Sequence, residues 1–263
     1  MIDETRLTFG VIQYSGVDPD NDPDRAVRAI EMFATTSEIS HKSFQGMFAS
    51  TDRWSRRSKV SPRSLSQLRV DLRGGVYSHI VVYLGERNRE LATLTIDCMP
   101  ASPTGGFPLG HRLAGEVLAL GGWHRAEEIS LDLWDILGPG YGFSVFGRHV
   151  REVQSELTGI PHTLWGESDP AEEARLLHFQ ALRHELGHKV RDAAWGNFLG
   201  HALVTRLGGL KRIRAEAPAA LVREISHGGV YIRMSEEPSI LQSNQYQEES
   251  GLLREFLRPV LAT

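Results

Sequence analysis

One cysteine, Cys98, occurs in the 263 residues. No disulfide can close within the chain, and no cysteine-rich metal site can be built from it. There is no basic N-terminal segment leading into an apolar run, so the expectation is a cytoplasmic protein without a secretory signal. No apolar stretch approaches the roughly 20 residues that a membrane-spanning helix needs. Low-complexity linkers, strict short repeats and a Gly-x-Ser-x-Gly nucleophile elbow are also missing. The formal charge of −4 argues against a general nucleic-acid binder. What the chain does have is 41% hydrophobic residues. That suffices for a substantial core, in a single compact domain over 1–263 or in two intimate halves meeting near residue 140.

Apolar spacing gives the order of elements. Leu7, Phe9 and Val11 share one face of a first strand, and Val27, Ile30 and Phe33 mark a helix opening at Asp22-Pro23. His79–Leu84 and Leu91–Met99 alternate as a hairpin joined through Gly85–Glu90. Within it Ala92, Leu94, Ile96 and Cys98 point one way, which makes Cys98 a small core residue. Leu109, Leu113 and Val117 predict a helix, and Ile129, Leu133 and Ile136 a second, with Gly121-Gly122 between them. Tyr141–Gly147 alternates as a strand, followed by a short helix through Val150, Val153 and Leu157 that closes at Gly159. A strand over Val230–Met234 precedes a C-terminal helix carrying Leu252, Leu253, Phe256 and Leu257. Strands in pairs as well as between helices predict an α+β fold, a mostly antiparallel sheet flanked by helices. The order of elements hints at two β-α-β-rich halves.

One short motif carries metal chemistry. Residues 184–188 read His-Glu-Leu-Gly-His. On a continuous helix His184 and His188 would share a face and could ligate one Zn²⁺, with Glu185 holding the attacking water. A third ligand would have to come from Glu216 or Glu224, because Arg191 and Ala194 stand where the extended motif has glycine and histidine. The helix around it starts well, with Asp169 to cap, Pro170 in the first turn and Glu172 and Glu173 near the positive dipole end. Leu176, Phe179, Leu182 and Leu186 form its apolar stripe. Gly187 followed by Lys189 and Arg191 reads as its C-terminus. The expectation is therefore that the helix stops at or just before Gly187, and that the two imidazoles point in different directions.

Other local patterns are weaker. Asp18-Pro-Asp-Asn-Asp-Pro-Asp24 spaces its acids like the start of a calcium loop but lacks the glycine and distal glutamate that the loop requires. Gly138-Pro-Gly-Tyr-Gly142 precedes a strand instead of opening a helix, unlike a phosphate-binding loop. Arg53, Arg56, Arg57, Lys59, Arg63, Arg69 and Arg73 make 53–73 locally basic around Trp54, which reads as solvated surface. His178, His201 and His227 complete no ligand set by spacing.

A longer series of short motifs runs through the C-terminal half. It comprises Gly140-Tyr141-Gly142-Phe143, Leu186-Gly187-His188-Lys189-Val190, Trp195 with Leu199, and Leu207-Gly208-Gly209. It continues through Gly228-Gly229-Val230-Tyr231-Ile232, Tyr246 and Leu257-Arg258-Pro259-Val260. This order resembles the type VI secretion immunity family whose members are encoded beside VRR-Nuc nuclease toxins. The chain departs from the family pattern at Trp195-Gly196-Asn197 and at Ser235–Ser239.

The resemblance implies an immunity protein, not an enzyme, that neutralises a cognate nuclease toxin by stoichiometric binding. It implies no cofactor, no metal, no direct nucleic-acid contact and no membrane. It also places a helix end at Leu186-Gly187 and makes Trp195, Phe198 and Leu199 core residues. An inhibitor that competes with a polyanion for a cationic cleft uses acidic surface. That logic nominates Asp18, Asp20, Asp22, Asp24, Glu172, Glu173, Glu236 and Glu237 as toxin-binding residues. The alternative reading is a zinc metallopeptidase built on His184, Glu185 and His188.

Overall fold

The structure, a computed structural model, describes residues 7–14, 22–36, 44–50, 55–74, 77–86, 89–97, 110–138, 140–159, 170–181, 185–186, 188–241 and 243–262. In chain order the N-terminal part gives β1 (Thr8–Tyr14), α1 (Pro23–Thr36), β2 (Phe44–Ser50), β3 (Ser55–Ser58), α2 (Pro62–Arg73), β4 (Tyr77–Glu86), β5 (Arg89–Asp97) and β6 (Gly110–Glu116). Then come α3 (Trp123–Leu137), β7 (Tyr141–Gly147), α4 (Val150–Thr158), α5 (Pro170–Ala181) and β8 (Gly196–Leu199). The chain ends with α6 (His201–Arg206), α7 (Leu210–Glu216), β9 (Leu221–Ile225), β10 (Gly229–Arg233) and α8 (Asn244–Leu257).

The described strands form one sheet in the order β3-β2-β4-β5-β6-β1-β7-β8-β10-β9. Every pairing in it is antiparallel. The fold is therefore α+β, as the paired strands predicted. β1 is the hinge of this order, with β6 on one side and β7 on the other. All of its residues are buried because both faces of the sheet are covered there.

On one face Leu7, Phe9 and Val11 pack with Val27, Ile30 and Phe33 of α1, Leu65, Leu68 and Leu72 of α2, and Ile129 and Leu133 of α3. On the other, Ile12 and Tyr14 join Tyr141, Phe143 and Val145 under α4, α6, α7 and α8. α2 is set by a capping box, in which Ser61 Oγ accepts the Ser64 amide (3.2 Å) and the Ser61 amide donates to Ser64 Oγ (2.9 Å), with Pro62 in the first turn.

β1 and α4 touch closely because residue 10 is glycine. A Cβ built there would lie 2.1 Å from Val153 Cγ1 and 3.0 Å from Leu157 Cδ1. The same strand turns Gln13 into the core, where its Nε2 donates to the Ser130 carbonyl of α3 (2.9 Å). Gln13 Oε1 lies 2.6 Å from His111 Nε2. An amide oxygen only accepts, so the imidazole carries its proton on Nε2. Burial pushes the His111 pKa down to about 3, and the ring is neutral at physiological pH.

One element differs from the sequence reading. Leu113 and Val117 are four apart and predict a helix, yet Gly110–Glu116 is a strand. Leu109 lies outside the described residues. The inward positions of the strand are His111, Leu113 and Gly115, opposite Gln13, Val11 and Phe9. With one histidine and one glycine among them, the apolar alternation of a strand is hidden. β2, β3, α2, β8, α6, α7 and β9 were not anticipated either; of these, α2 is 12 residues long and lies in the stretch read as basic solvated surface, while Leu65, Leu68 and Leu72 turn inward. Cys98, Asn88 and Trp54 lie outside the described residues, but the facing of Ala92, Leu94 and Ile96 is as expected.

Candidate functional site

The segment after α5 carries the metal motif. α5 is described to Ala181, and His184 and Gly187 lie outside the described residues. Beyond them the backbone is not helical. Leu186 and Lys189 form a bridge, and Val190 bridges Leu261 in parallel. The Val190 amide donates to the Val260 carbonyl (2.8 Å), and the Ala262 amide donates to the Val190 carbonyl (2.8 Å). The C-terminal segment is thus clasped alongside 190, and Arg206 closes the clasp from α6 by donating to the His188 and Pro259 carbonyls.

His188 stands in a turn at the head of this extended run, so no helix carries it on the face of α5. α5 runs to Ala181 and Leu186 is already in a bridge, so the helix ends before Gly187, at a point outside the described residues. Glu185, the would-be base, lies 2.5 Å from Lys189 Nζ. Of the two further carboxylates considered as ligands, Glu216 pairs with Arg212 at 2.8 Å and Glu224 with Arg214 at 3.9 Å.

The acids nominated for toxin binding fall on separate elements. Asp18 and Asp20 lie outside the described residues. Asp22 pairs with Arg25 at 2.8 Å. Asp24 Oδ1 accepts from Arg69 Nε of α2 at 2.8 Å, with Arg73 at 3.9 Å from its other oxygen. The acidic loop end and the basic stretch therefore answer each other within the chain. Glu172 and Glu173 lie near the start of α5, where only Glu173 has a described side chain. Glu236 reaches Arg233 at 3.0 Å, and Glu237 is exposed. α1 belongs to one face of the sheet, while α5 packs on α4, which covers the other.

Two buried charge networks were not visible in the sequence. In the first, Glu156 of α4 meets Arg191, whose side chain is only 5% exposed, with Arg191 Nη2 at 2.6 Å from Oε1. Arg175 of α5 grips the same carboxylate with both nitrogens, at 3.0 and 2.6 Å. Burial pushes the Glu156 carboxyl up, but the charges and hydrogen bonds of the two guanidiniums more than offset this, and its pKa is held below the usual range. Arg191 also lies 5.0 Å over the Phe143 ring, and its amide donates to the Tyr141 hydroxyl (3.1 Å).

Above this network opens a cleft of about 540 Å³ between α4, α5, α8 and residues 192–193. Glu152, Asp192, Tyr246, Gly251 and Arg254 stand on its walls.

The second network lies under the opposite face. Tyr231 donates to Glu127 Oε1 at 2.7 Å, and Arg233 Nη1 donates to Glu127 Oε2 at 3.2 Å. The guanidinium lies 5.6 Å over Trp123 and 6.0 Å over Trp195. Trp195 is fully buried and donates its indole N–H to the Glu237 carbonyl (3.2 Å). Trp195, Phe198 and Leu199 are core residues, as the motif series implied. Both networks join residues far apart in sequence, and no local pattern announces either of them.

Residues 176–262 match a family model described as type VI immunity for VRR-NUC. The matched span is about one third of the chain and contains the 190–261 clasp, Trp195, Arg233 and α8. It bears out the resemblance from Leu186 onward and leaves Gly140–Phe143 outside. Among solved structures, the type VI secretion system protein PA0821 of Pseudomonas aeruginosa shares the fold. Its TM-score is 0.63 at 13% identity, over 97% of this chain and 76% of that one. No curated protein matches the chain.

Proposed function

We propose that this chain is a type VI secretion immunity protein that binds a cognate nuclease toxin stoichiometrically and blocks it, without catalysis of its own. The observation that carries this reading is the family match over 176–262. Two features support it physically. The matched segment is tied together by the C-terminal clasp and by Arg233 over the Trp195 ring, which suits a preorganised binding surface. The chain is acidic overall, and α3 adds Glu128, Asp132 and Asp135 in successive turns to the acids named from sequence. Burial raises the Asp132 pKa against the opposing charge of Arg125, which also pairs with Glu128 at 2.7 Å, so this acidic stripe is already partly neutralised within the chain.

A nuclease must present cations to hold phosphates, and an acidic protein surface competes for them. Among the described residues no helix is long and apolar enough to cross a membrane. We place the protein in the cytoplasm, where a nuclease would act. The test is co-expression. Cells producing the nuclease encoded beside this gene should survive when the chain is co-produced, and the two proteins should co-purify at one to one. Cell death despite abundant folded protein rejects the proposal.

A further inference from the structure

The cleft between α4, α5 and α8 has hydrogen-bonding capacity that the described residues do not use. Its floor is saturated, since Glu156 takes both Arg175 and Arg191. Its walls are not. Among the described residues Glu152 is bonded through Oε2, which accepts the Arg148 amide at 2.9 Å. Among the described residues Asp192 is engaged through Oδ1, by the Ala193 amide at 2.8 Å and Arg254 Nε at 3.4 Å. Among the described residues nothing hydrogen-bonds the Tyr246 hydroxyl of this half-buried side chain, which lines the cleft.

Gly251 adds a separate observation. It sits inside α8, where glycine costs about 0.5–1 kcal/mol relative to alanine. A Cβ there would meet nothing within 4 Å, so no internal packing demands the glycine. It faces the cleft, and its lack of a side chain keeps that wall low.

The geometry points to this cleft as the place where the partner nuclease inserts a basic side chain, arginine or lysine, between Glu152 and Asp192. The inference rests on the immunity reading. A volume of about 540 Å³ accommodates such a group with room for its flanking backbone. The unused acceptors are carboxylate oxygens, which replace phosphate oxygens as the partner of a nuclease cation. Arg254, 60% exposed and loosely held, is the group displaced from Asp192. The Tyr246 hydroxyl then supplies a third acceptor.

The experiment titrates the catalytically silenced nuclease encoded beside this gene into the full chain by calorimetry, at low and high salt. E152Q and D192N retain oxygen acceptors for the Arg148 and Ala193 amides and remove only charge. G251L fills the cleft while improving helix propensity. Each should weaken binding about tenfold or more, equivalent to roughly 1.4 kcal/mol. The two charge variants should also lose salt dependence, and G251L should melt at or above the wild type. Binding by all three within about twofold of wild type, a loss too small to represent a missing charge pair, overturns the cleft assignment and leaves the immunity reading standing. Weakening confined to variants that also melt lower overturns it as well. A wild-type chain that fails to bind the nuclease removes the immunity reading and this assignment together.

Discussion

Arg69 Nε lies 2.8 Å from Asp24 Oδ1, joining α2 to the first turn of α1 across 45 positions of sequence. Two stretches that read separately as an acidic loop and a basic patch are thus partly spent on each other. Both side chains are partly exposed, so the pair should contribute about 0.2–1 kcal/mol. A double-mutant cycle with Asp24→Asn and Arg69→Gln checks this by urea unfolding. A coupling above about 2 kcal/mol would mean that the pair is far better shielded than its exposure implies.

The buried His111–Gln13 contact predicts an acid-side loss of stability. The folded pKa is pushed down to about 3, below the unfolded value of 6.5. Between those values the unfolded chain binds a proton that the folded chain excludes. Stability is complete above the unfolded pKa and falls as pH drops through the window, with a slope approaching 1.4 kcal/mol per unit for one proton (roughly). Calorimetry near pH 5 should register about one more proton taken up on unfolding by wild type than by His111→Asn. Equal uptake by the two proteins would show that His111 is charged in the fold.

Glu156 is held below the ordinary carboxylate range, so its contribution has the same sign for a different reason. It is present above the unfolded pKa and is lost as pH falls through the folded one. Glu156→Gln should cost about 3–5 kcal/mol, because it leaves the buried Arg191 without its counter-charge. Glu156→Leu with Arg191→Met should be milder than either single change, since neither member is then buried alone. Chemical denaturation of the three variants measures this, and a double variant weaker than both singles contradicts it.

Gly10→Ala should destabilise by about 1–3 kcal/mol, because its Cβ would overlap Val153 at 2.1 Å. Val153→Ala should recover part of that loss when combined with it. If the double variant unfolds no later than Gly10→Ala alone, the close approach of β1 and α4 is not what sets the residue.

The turn at His188 and the extended run through Val190 predict that the purified protein does not carry one equivalent of zinc. Elemental analysis of the protein as purified, and of His188→Ala beside it, reads this directly. A stoichiometric ion lost in the variant would restore the peptidase reading.

The sequence by itself determined the elements whose information is local. Val27, Ile30 and Phe33 place the buried side of α1 through helical spacing alone, and Phe9 and Val11 do the same for β1 by alternation. Gly187 with Lys189 and Arg191 predicted a helix end nearby because capping and dipole effects act within one turn, and the bridge at Leu186 agrees that the helix has ended by there. The motif series from Leu186 to Val260 carried the likeness to the immunity family for the same reason, each motif being a turn or a strand readable on its own.

Tertiary structure decided the rest. β6 is a strand because Gln13, 98 positions away, satisfies His111, and because Gly115 lets Ala92 approach where a Cβ would stand 2.6 Å from its methyl. Glu156, Arg175 and Arg191 meet only when α4, α5 and the start of the C-terminal clasp pack together. Glu152, Asp192 and Tyr246 line one cleft for the same cause. A charge pair or a cleft depends on distances across the fold, and spacing along the chain fixes those distances only within an element. The acids that stood out in sequence clusters partly became internal partners, while of the two proposed for the partner protein Glu152 stood in an ordinary helix and Asp192 in the bend before β8.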